Sequence, residues 1–270
     1  MLGKRFISAS ILGIFFILLL WFSNIPYLLN IVVAYLSAAA VYEALVATKY
    51  IEGKSLMIIS MVFASIMPFL TQFNRLNITV GIFVFTVILF LTLFFTYGNF
   101  TFEHISVVFL ISIIISFFFL TIIFVRWMDK GEYYIYYVFV GAWISDLSAY
   151  TFGRLFGKHK LIEKISPKKT VEGAAGAVVS TGVFFFITSL IIAYFFHKKV
   201  DFVPLVIAGF LASVAAQIGD LSASIIKRTF GVKDFGSILP GHGGILDRFD
   251  SVIFVSPFLF ILFSVFPMIH

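Results

Sequence analysis

Apolar residues run through this chain in long blocks, separated by short polar, Gly or Pro stretches. A membrane-spanning helix needs about 20 largely apolar residues. Nine such blocks can be drawn, at residues 6–23, 27–47, 55–73, 78–97, 105–127, 133–154, 173–196, 202–228 and 247–268. The first follows Lys4 and Arg5 and is followed by Ser23-Asn24-Ile25-Pro26, not by a small-residue cleavage site. It therefore reads as a retained helix rather than a signal peptide. The pattern predicts an all-α, polytopic integral membrane helix bundle with about nine transmembrane helices.

Composition supports this class. Of 270 residues, 61% are hydrophobic and 12% charged, against about 45–50% and about 25% in soluble domains. Too little polar surface remains to cover a water-soluble globule, which excludes a soluble enzyme, a disordered chain and a coiled coil. The absence of Cys excludes a disulfide framework, a thiolate metal site and a Cys nucleophile. With nine spans, 14 of the 19 Lys and Arg residues fall on the side of the N-terminus and five on the other. The positive-inside rule then makes the N-terminus cytoplasmic. Tyr133, Tyr134, Tyr136 and Tyr137, beside Trp127, read as an aromatic belt at the outer interface.

The halves differ in chemistry. Residues 1–130 read as scaffold helices and 131–270 as a catalytic region, within one continuous membrane domain. Glu43 is the main ionisable residue inside an early span, and we expect it to pair within the bundle without a functional role. In the eighth block, Ser213, Gln217, Asp220, Ser224 and Lys227 are spaced 4, 3, 4 and 3 residues apart, so they share one helical face. Such a stripe must face protein or a water-filled cavity. Ser and Gln alone would fit helix–helix hydrogen bonding; the added Asp and Lys favour a functional cavity.

Lys227-Arg228, Lys233-Asp234 and the run Pro240-Gly241-His242-Gly243-Gly244-Ile245-Leu246-Asp247-Arg248-Phe249-Asp250 follow. Glycines let backbone N–H groups approach an anion closely. Asp247 and Asp250 stand at i and i+3 in the first turn of the last helix, where the dipole favours negative charge. His242 is open between donor to phosphate and structural turn residue. Asp220, Asp247 and Asp250 form an all-oxygen set of the kind that suits Mg²⁺, and Lys227, Arg228, Lys233 and Arg248 can neutralise phosphate. Upstream, Asp146, Tyr150 and Arg154 share a face of the sixth block, ahead of Gly157-Lys158-His159-Lys160 and Ser166-Pro167-Lys168-Lys169-Thr170-Val171-Glu172-Gly173. Ser166 or Thr170 is positioned to cap the seventh helix. A basic loop of this kind is also an ordinary topology signal. His159 and His197 read as solvated loop residues.

The stretch Ser224 to Arg228, Lys233-Asp234 and His242 to Asp250 resembles the signature of the phosphatidate cytidylyltransferase (CDP-diacylglycerol synthase) family. Trp143, Asp146, Ala149-Tyr150, Gly153-Arg154 and Ser166 to Gly173 resemble it as well. The resemblance implies transfer of CMP from CTP to phosphatidate, giving CDP-diacylglycerol and pyrophosphate for phospholipid synthesis. It implies Mg²⁺, with Asp220 and Asp247 as ligands and Asp250 nearby; a second cation such as K⁺ is compatible with the family but is not required by any spacing.

The catalytic set is then Asp220, Lys227, Arg228, Asp247 and Asp250. Substrate contacts fall to Asp146, Tyr150, Arg154, Lys168, Lys169, Ser224, Lys233, His242, Gly243, Gly244 and Arg248. The expected setting is a bacterial inner (cell) membrane with the site facing the cytoplasm, and the expected partners are CTP, phosphatidate and membrane lipid, without nucleic acid. A homodimer is compatible with this. The competing readings are a CTP-dependent enzyme acting on another lipid phosphate, a lipid kinase, and a secondary transporter using Asp146 and Asp220.

Overall fold

The computed structural model describes residues 18–48, 54–71, 75–96, 98, 100–238 and 243–270. Most of the first apolar block, Lys4, Arg5 and His242 lie outside the described residues. The described chain is mostly helical: α1 Leu28–Thr48, α2 Lys54–Leu70, α3 Arg75–Phe95, α4 Phe102–Trp127, α5 Gly131–Phe156, α6 Val171–Phe195, α7 Phe202–Thr229, the short α8 Leu246–Phe249 and α9 Val252–Val265. Each falls on one of the expected apolar blocks. Six helical segments among the described residues are long and apolar enough to cross a membrane, namely α1, Asn77–Phe95, α4, α6, α7 and Leu246–Val265. The protein is an integral membrane protein.

Two features depart from a simple helical reading. Residues between α5 and α6 form an antiparallel hairpin, β1 Lys160–Ile162 and β2 Ser166–Thr170. Its sequence has no strand alternation; Lys160 Nζ donates to Pro167 O at 2.6 Å, tying the two arms. The last apolar block is interrupted between α8 and α9 at Asp250-Ser251.

The chain divides into two compact units. One comprises residues up to Ile123 together with Phe230–Arg248. In it α2 packs against both α1 and α3. Asn30 Nδ2 donates to Pro68 O at 2.6 Å, satisfying the carbonyl of a helix-internal proline, and Phe63 stacks on Phe85.

The other unit comprises Phe124–Thr229 and Phe249–His270. Here α5 packs against α6, α7 and α9, and α7 against α6 and α9. Gly141 of α5 sits against Ala212, Phe185 and Val255, one residue from each of the other three helices. Tyr134 and Tyr137 are fully buried in this core. The Tyr134 hydroxyl accepts from Met268 N and Ile269 N, and the Tyr137 hydroxyl meets Ser189 Oγ at 2.8 Å. Half of the expected aromatic belt is therefore core: a buried tyrosine hydroxyl needs a partner, and these two have one.

Candidate functional site

The polar stripe of α7 faces protein. Ser213 and Lys227 are buried and Gln217, Asp220 and Ser224 half-buried, while Val214, Ile218, Ile225 and Ile226 on the remaining faces are exposed. The stripe divides by chemistry. Ser213 Oγ bonds Ser145 Oγ of α5 at 2.8 Å, and Gln217 Nε2 donates to Ala174 O of α6 at 3.2 Å. These residues hold helices together. Asp220, Ser224 and Lys227 lie nearer the end of the helix, where Asp146, Lys169 and Asp250 are also found.

Asp220 opens onto a cavity of about 290 Å³. Asp146, Tyr150 and Arg154 of α5 line it, with Lys168 and Lys169 of β2. Three sequence segments that the periodicity could not connect thus meet in one place. The hairpin brings the lysines in, and Lys169 Nζ lies 2.5 Å from Asp220 Oδ2. The hairpin is itself fixed from both sides. Thr170 is the N-cap of α6, its Oγ1 accepting from Gly173 N at 3.2 Å, as the sequence suggested. Glu172 accepts from the backbone N–H groups of Lys158 and His159, and its Oε1 is 2.6 Å from His159 Nδ1. His159 is a solvated loop residue, as expected, with its side chain 78% exposed, and it also clasps the hairpin through Glu172. Arg228 donates through Nε to Ile165 O at 3.4 Å, at the hairpin turn.

Asp250 is only 7% exposed. Asp220 and Asp146 are close enough to repel it electrostatically, and Lys227, 8% exposed, lies close enough to attract it. Ser251 links the acids: its Oγ donates to Asp146 Oδ1 at 2.9 Å, and its backbone N–H donates to Asp250 Oδ1 at 2.8 Å. Sequence reasoning missed Ser251, and no spacing relates it to a residue 105 positions earlier.

The remaining candidates belong to the other unit. Asp247 Oδ2 accepts from Phe235 N at 2.9 Å and Gly244 N at 3.2 Å. Gly243 adopts φ +83, a left-handed conformation that glycine tolerates. Lys233 and Arg248 are exposed.

Among the described residues, no three His, Asp or Glu side chains already form a metal-holding group. That does not conflict with the expected ion. Mg²⁺ is usually held by one or two carboxylates plus waters and substrate phosphates rather than by an all-protein cage. The donors present are hard oxygens, and an ammonium already seats on Asp220. The set fits a divalent cation.

The chain matches the cytidylyltransferase family over residues 3–266. It is 47% identical over 134 residues to a phosphatidate cytidylyltransferase of Staphylococcus haemolyticus, covering 50% of each chain. It is 43% identical over 170 residues to one of Bacillus subtilis, covering 63% of this chain and 62% of the relative. A third, from Staphylococcus saprophyticus, is 48% identical over 134 residues, again half of each chain. The chain thus spans about half, and in one case 62%, of the length of these relatives.

Proposed function

The chain belongs to the cytidylyltransferase family, and on that footing we propose that it transfers CMP from CTP to phosphatidate, releasing pyrophosphate. The observation that carries this reading is the cavity where Asp146 and Asp220 stand beside Arg154, Lys168 and Lys169. Interleaved acids and bases suit a metal-bound polyphosphate; a purely basic patch would suit a lipid headgroup alone.

A phosphate monoester oxygen of the lipid attacks the α-phosphorus of CTP, and the bond from that phosphorus to the oxygen bridging to the β-phosphate breaks as pyrophosphate leaves. The attacking oxygen is already anionic at pH 7, so no strong general base is required. Catalysis is positioning and charge stabilisation. Lys168, Lys169 and Arg154 offset charge on the phosphates, and Lys227 balances the buried Asp250. By the resemblance Asp220 and Asp247 would hold Mg²⁺, with Asp250 nearby. When bound, the ion supplies charge neutralisation at the reacting phosphates.

We place the site at the cytoplasmic membrane interface of a nine-span bundle, because the lipid substrate cannot leave the bilayer and CTP cannot enter it. The deciding experiment is pyrophosphate release by purified protein in detergent, with CTP, phosphatidate and Mg²⁺ each omitted in turn. Dependence on all three, lost in Asp220→Asn, is the expected result. Release with a different lipid phosphate would reassign the acceptor, and no release with any nucleotide would overturn the reading.

A further inference from the structure

Glu43 has no role in the reaction as described, yet it occupies an unusual place. It lies near the end of the apolar helix α1 and is 1% exposed. Burying a carboxylate is costly unless it is hydrogen-bonded. Its Oε2 accepts from Leu246 N at 2.9 Å, across 203 residues. The backbone N–H groups of Ile245 and Ile238 also lie within electrostatic reach, while Oε1 makes no well-formed hydrogen bond.

Two glycines flank this carboxyl. A Cβ on Gly244 would stand 2.5 Å from Glu43 Oε2, and a Cβ on Gly236 would collide with Oε1. Only glycine allows backbone to approach this closely. The same two segments are joined by Asp247, through Phe235 N and Gly244 N. Glu43 thus holds Leu246 by a hydrogen bond and packs closely against Gly236 and Gly244, Asp247 bridges Phe235 to Gly244, and Leu246 is the immediate neighbour of Asp247.

We infer that Glu43 is a positioning residue: its buried carboxylate clamps the glycine-bearing segments on either side of Asp247 and so sets where the Asp247 carboxylate is held. The part of this inference that concerns metal use rests on the proposed reaction; the clamp itself does not. Partners behind a metal ligand commonly change metal affinity or activity by about 10–100-fold when removed.

The test measures two quantities on full-length protein in detergent, for wild type, Glu43→Gln and Glu43→Ala. The first is hydrogen–deuterium exchange of the backbone amides of Phe235 and Gly244 to Leu246. The second is the Mg²⁺ concentration giving half-maximal turnover, with kcat and the KM for CTP measured separately. In Glu43→Ala, exchange at those amides should quicken by about tenfold while α6 and α7 stay protected. The Mg²⁺ midpoint should rise about tenfold or more, with the KM for CTP at saturating Mg²⁺ little changed. Glu43→Gln, which keeps one acceptor oxygen, should fall between. Unchanged exchange overturns the clamp. Faster exchange with an unchanged Mg²⁺ midpoint and kcat overturns the positioning role. If Glu43→Ala does not fold, the same two readings on Glu43→Gln decide in the same way. Absence of turnover by the wild-type chain sinks the proposed reaction instead, and the exchange measurement alone then decides the clamp.

Discussion

Lys169 places its Nζ 2.5 Å from Asp220 Oδ2, so a hairpin lysine and a transmembrane-helix aspartate meet at the wall of the same cavity. The pair joins the basic loop to the acidic stripe, and it separates two roles that a charge count would merge. The side chains are 22% and 31% exposed, although the Lys169 nitrogen itself is buried. Both side chains remain partly exposed and face a cavity, which limits what the pair adds to stability. Lys169→Ala should therefore leave thermal unfolding in detergent nearly unchanged while raising the KM for CTP. Equal kinetics in the variant and the wild type would return the loop to a topology signal.

Removing charge from the acids should act in the opposite sense. Asp220→Asn and Asp250→Asn should each lower Mg²⁺-dependent turnover by about 10²–10³-fold, the scale of deleting one group that stabilises developing charge. Steady-state kinetics over a Mg²⁺ series measures this. Near-normal activity of either variant would remove that residue from the proposed metal site.

Ser251 supplies the hydroxyl between Asp146 and Asp250. Ser251→Ala removes that donor while leaving the backbone bond to Asp250. A lost hydrogen bond to a part-buried charged group costs about 1–3 kcal/mol, so the unfolding midpoint should fall. Turnover should drop as well, because Asp146 loses its tie to α9. An unaltered melting curve would show the bond to be energetically idle.

The His159–Glu172 contact holds the hairpin against the first turn of α6. Glu172→Ala removes the acceptor for Lys158 N and His159 N as well. Limited proteolysis should then cut residues 158–169 more readily than in wild type, with the helices intact. Equal cutting rates would show that the strand pairing alone holds the hairpin.

Orientation is tested through the absence of cysteine. Lys160→Cys creates a single thiol in the hairpin. In intact cells it should resist an impermeant maleimide and react only after the membrane is opened. Labelling of intact cells would reverse the proposed topology.

The sequence by itself determined the class, the helices and part of the site. Long apolar blocks are local signals, and each described helix falls on one. The 4-3-4-3 spacing from Ser213 to Lys227 identified the buried face of α7, because helical period is a property of consecutive residues. The signature around residues 224–250 points to the family from the sequence alone. The tertiary structure decided which of these residues meet. It bent Ser166 to Thr170 into a strand that delivers Lys168 and Lys169 to Asp220. It gave Asp247 two backbone N–H partners and turned Tyr134 and Tyr137 inward. It also joined Ser251 to Asp146 and Glu43 to Leu246, over 105 and 203 residues. Hydropathy and spacing read neighbours along the chain; contacts at that separation exist only after helices have packed and buried polar groups have found partners.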